Sequence, residues 1–218
     1  MSTAEVKSQQ RIGLGSAGIR MMPEEFDALW HADPRYRYEL IRGVLIVSRL
    51  PLVGETDPNE ELGRLLRNYQ VDHPQGSVLD KTLPERYVYL PDSRRRADRL
   101  IWAGLGRVPD IEADTPTIVV EFVSKGKRDW IRDYEEKRRE YLAVGIQEYW
   151  VIDRFRWTMT VYRKPPAEPA EVVVPAEGTY ATPLLPGFEL PLARLLRIAD
   201  DWTRRRQRSA RAAISIWG

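Results

Sequence analysis

The chain has 218 residues, and 34 lysines and arginines against 32 aspartates and glutamates give it a formal net charge of +2. A near-neutral chain with 43% hydrophobic and 10% aromatic residues is not histone-like or highly charged and disordered, and is typical of a globular protein. The absence of cysteine excludes disulfides, thiolate metal sites and cysteine nucleophiles, and two histidines are too few for a histidine-rich zinc site. No stretch has the ~20 apolar residues of a membrane span, and the polar N-terminus lacks a signal-peptide core, so we expect a cytoplasmic protein.

Composition along the chain predicts one structured domain between two terminal segments. Residues 1–18 lack periodicity and are expected to be a flexible tail, and residues 201–218 form an arginine-rich helix or tail. Residues 19–200 mix helical and strand patterns with no internal repeat and no convincing linker. We therefore expect a single α/β domain, with a mixed central sheet flanked by helices.

The first predicted elements are a helix, a hairpin and a second helix. Pro23, followed by two glutamates, is typical of a first helical turn, and the helix should end before Pro34. Arg42-Gly43 interrupts an apolar, β-branched run and predicts a hairpin turn. Asp57-Pro58 followed by Glu60 is typical of the start of a second helix, which should end near His73-Pro74.

The remaining chain alternates strands with a third helix. That helix is predicted from about residue 128 to residue 143. The predicted strands cover residues 77–82, 86–90, 98–102, 117–123, 148–153, 158–163 and 171–174.

Glu121 is the single ionisable residue of a strand that is apolar on both faces. Such a strand belongs in the middle of a sheet. A buried carboxylate costs several kcal/mol unless it has a partner, a metal ion or a proton. A strand-end glutamate paired with one arginine explains the pattern equally well.

Three further charged residues lie at the edges of apolar elements. Asp98 opens a strand on the face of Leu100 and Trp102, although a turn or strand-capping aspartate is the simpler reading of it alone. Lys137 lies at the margin of the buried helical arc, where it could also snorkel with its head in water. Glu39 alone reads as an exposed or rim glutamate. The arc that contains Lys137 is marked by Trp130, Tyr134 and Tyr141.

Three carboxylates and a lysine together indicate metal-assisted chemistry. Clustered carboxylates suit a hard divalent cation such as Mg²⁺. Such an ion can polarise a phosphodiester and activate a water, and a nearby lysine can stabilise the developing charge.

From about residue 21 to residue 196 the chain resembles the Uma-type family, whose members carry the label "putative restriction endonuclease". That family is part of the PD-(D/E)-x-K nuclease superfamily. The combination of motifs in this order is specific, although no single motif is. The motifs are YELIRG at 38–43, RAD at 96–98, VVEFVS at 119–124, EKRREY at 136–141, GIQEYWVID at 145–153 and PLLPGF at 183–188.

The resemblance implies a restriction-endonuclease-like mixed sheet flanked by helices, with a metal site at one sheet edge. By position, Asp98 and Glu121 match the two metal-binding acids, Glu39 matches the N-terminal acid, and Lys137 matches a lysine on the helix after the core strand. The carbonyl of Phe122 or of its neighbour Val120 can add an oxygen ligand.

The chain departs from the family pattern at several places. The superfamily lysine usually lies two residues after the second acid, where this chain has Val123. Alanine replaces the proline expected before Asp98. The family often has a histidine early in the second helix, where a role for Glu60 stays open. Pro109-Asp110 is a literal Pro-Asp pair, but its surroundings read as a loop, so we prefer Asp98.

These observations predict a Mg²⁺- or Mn²⁺-dependent endonuclease that acts on DNA as a homodimer, without an organic cofactor or a membrane. Arg94, Arg95 and Arg96 are candidate phosphate contacts, as are the C-terminal arginines, although a solvated helix end explains the latter equally well. The alternatives are a catalytically inactive nuclease-fold DNA-binding protein and a structural or assembly module that uses its C-terminal tail.

Overall fold

The computed structural model describes residues 12–29, 31–124 and 130–202. The chain divides into two compact units: unit 1 comprises Met1–Leu50 and Tyr89–Arg96, and unit 2 comprises Pro51–Val88 and Ala97–Gly218. The arginines predicted to form a C-terminal helix or tail beyond residue 202 lie outside the described residues. No helix in the described ranges is long and apolar enough to cross a membrane.

Unit 1 contains the predicted hairpin. Its strands are β1 (Tyr36–Ile41) and β2 (Val44–Arg49), which pair antiparallel, and β1 also pairs with residue Arg94. The two turn residues, Arg42 and Gly43, have φ of 49° and 72°. Positive φ at both positions is what a tight two-residue hairpin turn requires, so the hairpin prediction is confirmed.

The first helix, α1 (Pro23–Asp27), begins where the sequence predicts but ends earlier than expected. The Glu25 carboxylate accepts the Met22 N–H at 2.7 Å and so caps the helix start. Upstream, the Gly18 N–H donates to the Leu45 carbonyl at 2.8 Å, and the Asp33 N–H donates to the Ile12 carbonyl at 2.9 Å. Residues 12–18, which the sequence assigns to a flexible tail, are therefore hydrogen-bonded parts of unit 1.

Unit 2 is a mixed α/β fold with a mostly antiparallel sheet flanked by helices, as the sequence predicts. Its strands follow the order β4-β5-β6-β7-β8, with β3 also paired to β4. Only β5 and β6 are parallel among these neighbours. The helices are α2 (Val53–Asp72), α3 (Lys137–Ala143) and α4 (192–202). Two of the strands, β3 (Leu79–Leu90) and β4 (Ser93–Ala103), have one end each among the residues of unit 1. The others are β5 (Ile118–Phe122), β6 (Glu148–Asp153), β7 (Thr158–Arg163), β8 (Glu171–Pro175), β9 (Thr179–Ala181) and β10 (Glu189–Pro191).

The two central strands, β5 and β6, are buried along their whole length. One face of β5 carries Ile118, Val120 and Phe122, which pack in a core with residues of α2 and α4. Because side chains alternate along a strand, Glu121 belongs to the other face. On that face, Lys137 and Tyr141 of α3 contact Glu121.

The start of α2 differs from the prediction. The helix begins at Val53, and Pro58 lies inside it. Proline has no N–H to donate, so the carbonyl of Gly54, four residues earlier, lacks its usual hydrogen bond within the helix. The guanidinium of Arg154 lies 3.4 Å from this carbonyl and supplies a donor in its place.

Two further predictions differ in detail. The strands predicted at 77–82 and 86–90 are one strand, β3, which passes through Glu85 at a φ of 55°. The predicted third helix contains a π-helical turn at Arg132–Glu136 before α3 begins. Such turns are frequent at functional sites, because they shift the side chains that follow them around the helix axis.

Candidate active site

Strands β4 and β5 bring Asp98 and Glu121 to opposite positions. Their antiparallel register pairs Arg99 with Val120, so the next pair along the ladder is Asp98 and Glu121. Directly opposed residues point to the same face with Cβ atoms about 5 Å apart. Both side chains are buried, at 6% and 3% exposure.

Asp98 accepts hydrogen bonds at its side chain and at its backbone carbonyl. The carboxylate Oδ2 of Asp98 accepts the Phe122 N–H at 2.7 Å, which ties it to the end of β5. The Asn59 amide of α2 donates to the Asp98 carbonyl at 2.7 Å. One hydrogen bond to its carboxylate and one to its backbone carbonyl therefore fix the position of Asp98.

Lys137 points at Glu121. Its Nζ donates to Glu121 Oε1 at 2.8 Å, and the Tyr141 hydroxyl donates to the same oxygen at 3.3 Å. Both residues belong to α3, which the π-helical turn precedes. Lys137 is 2% exposed, so its head does not reach water as a snorkelling lysine does.

Two further carboxylates join this group, and sequence reasoning did not select either. Asp133, in the π-helical turn, has its Oδ1 3.9 Å from Lys137 Nζ and 2.9 Å from Arg132 Nε. Glu55, in the first turn of α2, accepts the Leu52 N–H at 3.0 Å and a hydrogen bond from the Ser124 side chain. We call Glu55, Asp98, Glu121 and Asp133 the carboxylate cluster.

Three carboxylates of the cluster, those of Glu55, Glu121 and Asp133, have raised pKa values, chiefly because they are buried. Burial is the largest effect on Glu121 and, although Lys137 opposes it, burial together with the charges of Asp98 and Asp133 raises the pKa of Glu121 to about 8. Burial likewise raises the pKa values of Asp133 and Glu55, and the charge of Asp98 adds to both. Local cations therefore do not fully offset the cost of burying these carboxylates.

The donor chemistry of the cluster fits a hard divalent cation, because its candidate ligands are carboxylate and carbonyl oxygens. In the part of the chain that the structure describes, no three acidic or histidine side chains already converge as metal ligands. Glu121 Oε1 instead contacts Lys137, and Asp98 Oδ2 contacts the Phe122 N–H. A cation bound here would compete with Lys137 for Glu121.

The remaining predicted site residues are Glu39 and the three arginines at positions 94–96. Glu39 belongs to unit 1, where its carboxylate accepts the Arg96 N–H at 3.0 Å. Arg94 pairs with Asp27 at 2.8 Å, and Arg95 is fully buried. The roles predicted for Glu39 at the metal site and for Arg94, Arg95 and Arg96 on DNA stay predictions.

The geometry favours Asp98 over Asp110. Asp110 is exposed, and its carboxylate accepts the Glu112 N–H at 3.0 Å within a turn. That is the ordinary role of an aspartate in a loop. Asp98 instead lies opposite Glu121 in the sheet.

Glu55→Gln is expected to weaken Mg²⁺-dependent activity by about 10- to 100-fold, the usual effect of altering a group that supports metal ligands. Glutamine keeps an oxygen for the Leu52 N–H but removes the charge beside Asp98. A Mg²⁺ titration of the cleavage rate measures the effect. Glu60→Gln, at an exposed position of the same helix, serves as the control. A larger loss with Glu60→Gln would assign the role to Glu60 instead.

The site thus combines two carboxylates on neighbouring strands of a mixed sheet with a lysine from the flanking helix α3. The chain belongs to the Uma2 family, described as "Putative restriction endonuclease", whose model matches residues 23–193.

A solved structure supports the fold. The chain is similar to a crystal structure described as "a putative nuclease belonging to DUF820" from Anabaena variabilis, with a TM-score of 0.63 and 18% identity. The similarity covers 82% of this chain and 99% of that one. No curated protein matches the chain.

Proposed function

We propose that the protein is a divalent-metal-dependent endonuclease that hydrolyses phosphodiester bonds of DNA, with Mg²⁺ or Mn²⁺ as cofactor. The observation that carries the proposal is the 2.8 Å contact between Lys137 Nζ and Glu121 Oε1, with Asp98 opposite Glu121 on the next strand. Membership of the Uma2 family supports the same reaction class.

The metal would be held by Asp98, Glu121 and the carbonyl of Phe122. When bound, it would supply a Lewis acid for the phosphoryl group and lower the pKa of a coordinated water. The Phe122 N–H orients Asp98 in advance, because it holds one carboxylate oxygen at 2.7 Å.

Lys137 takes the place of the lysine that the superfamily carries two residues after the second acid. Val123 stands at that position, and the lysine reaches Glu121 from α3 instead. Released from Glu121, its ammonium group can orient the attacking water and neutralise charge on the phosphate. Asp133, 3.9 Å away, keeps the ammonium at this edge of the sheet.

The experiment is cleavage of supercoiled, linear duplex and single-stranded DNA with Mg²⁺, with Mn²⁺ or with EDTA. Glu121→Gln and Lys137→Met are each expected to lower the rate by at least about 10²-fold, the scale of one proton-transfer or charge-stabilising group. Glu135→Gln, at an exposed position of the π-helical turn, is the matched control and should cleave like the wild type. Circular dichroism of every variant verifies folding.

Two outcomes contradict the proposal. Equal cleavage by the wild type and Glu121→Gln would mean that the activity does not use this site. DNA binding without metal-dependent cleavage would instead support a catalytically inactive DNA-binding protein. The expected homodimer is tested separately by light scattering.

A further inference from the structure

The turn between β6 and β7, residues 154–157, exposes two aromatic side chains. Phe155 is 47% exposed and Trp157 is 37% exposed. Every other phenylalanine, tryptophan and tyrosine within the described ranges is buried or only partly exposed. The turn reads Arg-Phe-Arg-Trp, so arginines alternate with these rings.

The turn is held in a defined conformation. The buried Asp153 carboxylate accepts the N–H groups of Phe155 and Arg156 at 2.8 and 3.0 Å, and it accepts the Tyr134 hydroxyl at 3.1 Å. Trp157 has a φ of 56°, a region that disfavours bulky side chains. The turn therefore holds a tryptophan that is both 37% exposed and in an uncommon backbone conformation, and such residues cluster at functional sites.

One arginine of the turn, Arg156, lies against two aromatic rings outside the turn. The rings of Trp130 and Tyr134 are stacked, with centroids 5.0 Å apart and an interplanar angle of 25°. The Arg156 guanidinium lies 5.0 Å from the Trp130 centroid and 5.5 Å from that of Tyr134. Tyr134 is the next residue after Asp133, so the stack and the carboxylate cluster share the π-helical turn Arg132–Glu136.

The turn follows the carboxyl end of β6, and Glu121 lies near the carboxyl end of the parallel strand β5, so both lie at the same end of these strands. In the parallel pair of β5 and β6, Glu121 is level with Val151, and Phe155 follows four residues later. Four residues span at most about 14 Å, and neighbouring strands are about 4.8 Å apart. Phe155 is thus within the length of a few nucleotides of Glu121.

We propose that this turn is a stacking surface for unpaired bases, so that the substrate is DNA with a single-stranded or locally unpaired segment next to the cleaved bond. The inference rests on the proposed function and names its substrate class. Exposed rings stack on any base whose face is free. Arg154 lies over one face of the Phe155 ring, 4.8 Å from its centroid, and leaves the other face for a base. The Arg156 side chain is 58% exposed and can contact the nucleic-acid backbone. In an intact duplex the base faces are covered by their neighbours, so the rings would find them only at ends or distortions.

The test measures binding without chemistry. Fluorescence anisotropy in EDTA compares a labelled single-stranded oligonucleotide with its duplex, using the full chain. Phe155→Ala and Trp157→Gly are each expected to weaken single-strand binding about 5- to 100-fold, the loss of one stacked base, with duplex affinity changed less than about twofold. Glycine is used at position 157 because it accepts the positive φ. Val173→Ala, an exposed apolar position on β8, is the control.

The outcomes separate this inference from the proposed function. Unchanged single-strand affinity, or equal losses on single strand and duplex, overturns the stacking surface even if the wild type cleaves DNA. A change in molar mass by light scattering in the turn variants would make the turn an interface between copies and also overturn it. Selective loss of single-strand binding supports the stacking surface. If cleavage then proves independent of Glu121, the stacking surface stands and the proposed function is what fails.

Discussion

Replacing Asp98 by asparagine is expected to lower Mg²⁺-dependent DNA cleavage by about 10³-fold or more. Losing one charged metal ligand removes several kcal/mol of charge stabilisation, and each 1.36 kcal/mol is a factor of ten. Asparagine still offers an oxygen to the Phe122 N–H, so the fold should survive. Initial cleavage rates at saturating Mg²⁺, with a melting curve for each variant, measure the effect.

The control for this prediction is Asp110→Asn. Asp110 lies exposed in a turn, and its replacement should change the cleavage rate less than about twofold. If cleavage were lost with Asp110→Asn and retained with Asp98→Asn, the literal Pro109-Asp110 pair would carry the metal instead.

Arg99→Met is expected to lower the free energy of unfolding by about 3 to 5 kcal/mol, because three buried acceptors lose their donor at about 1 to 3 kcal/mol each. Arg99 is 2% exposed and donates to the Asn59 side chain at 2.7 Å, the Asn59 carbonyl at 2.7 Å and the Thr82 hydroxyl at 3.1 Å. Burial lowers the pKa of Arg99 to about 10, so the group stays charged at neutral pH. Methionine fills a similar volume but leaves three acceptors without their donor.

Urea unfolding measures this loss, with an unchanged m-value showing that the unfolded state is comparable. The matched control is Arg64→Met, which breaks a more exposed pair with Glu61 on α2 and should lower the free energy of unfolding far less than Arg99→Met does. Equal effects of the two substitutions would mean that the Arg99 network contributes no more than a surface ion pair.

The Arg99 network also explains a glycine in the middle of α2. A Cβ at Gly63 would lie 2.5 Å from Arg99 Nη2. Helix propensity alone favours alanine over glycine by about 1 kcal/mol. Glycine at position 63 leaves the space that the Arg99 guanidinium occupies. Arg99 in turn donates to Asn59, whose amide donates to the Asp98 carbonyl.

The two site residues on strands, Asp98 and Glu121, could be predicted because the pattern of a strand is short and local in the sequence. Glu121 stands out as one charge in an apolar strand, and Asp98 shares a face with Leu100 and Trp102. Lys137 lies on an apolar helical arc, but only the fold shows that its head points inward. The family resemblance supplied the link between these three residues.

Glu55 and Asp133 were missed for different physical reasons. Asp57-Pro58 has the composition of a helix start, whereas the actual start at Leu52 has no capping side chain of its own and relies on the Glu55 carboxylate. Asp133 lies one α-helical turn before Lys137, and that spacing was the available signal. Its burial depends on contacts across the sheet, such as the Tyr149 hydroxyl on its backbone carbonyl, which the local sequence does not contain.

The contact between Lys137 and Glu121 means that the protein carries its own counterion. The buried glutamate has a cationic neighbour before any metal arrives, unlike the ligands of a structural zinc site, where folding depends on the ion. Under the proposed function, catalysis would therefore depend on a divalent cation, whereas folding would not. The supply of that cation would then set the activity of the folded protein without changing how much of it is folded.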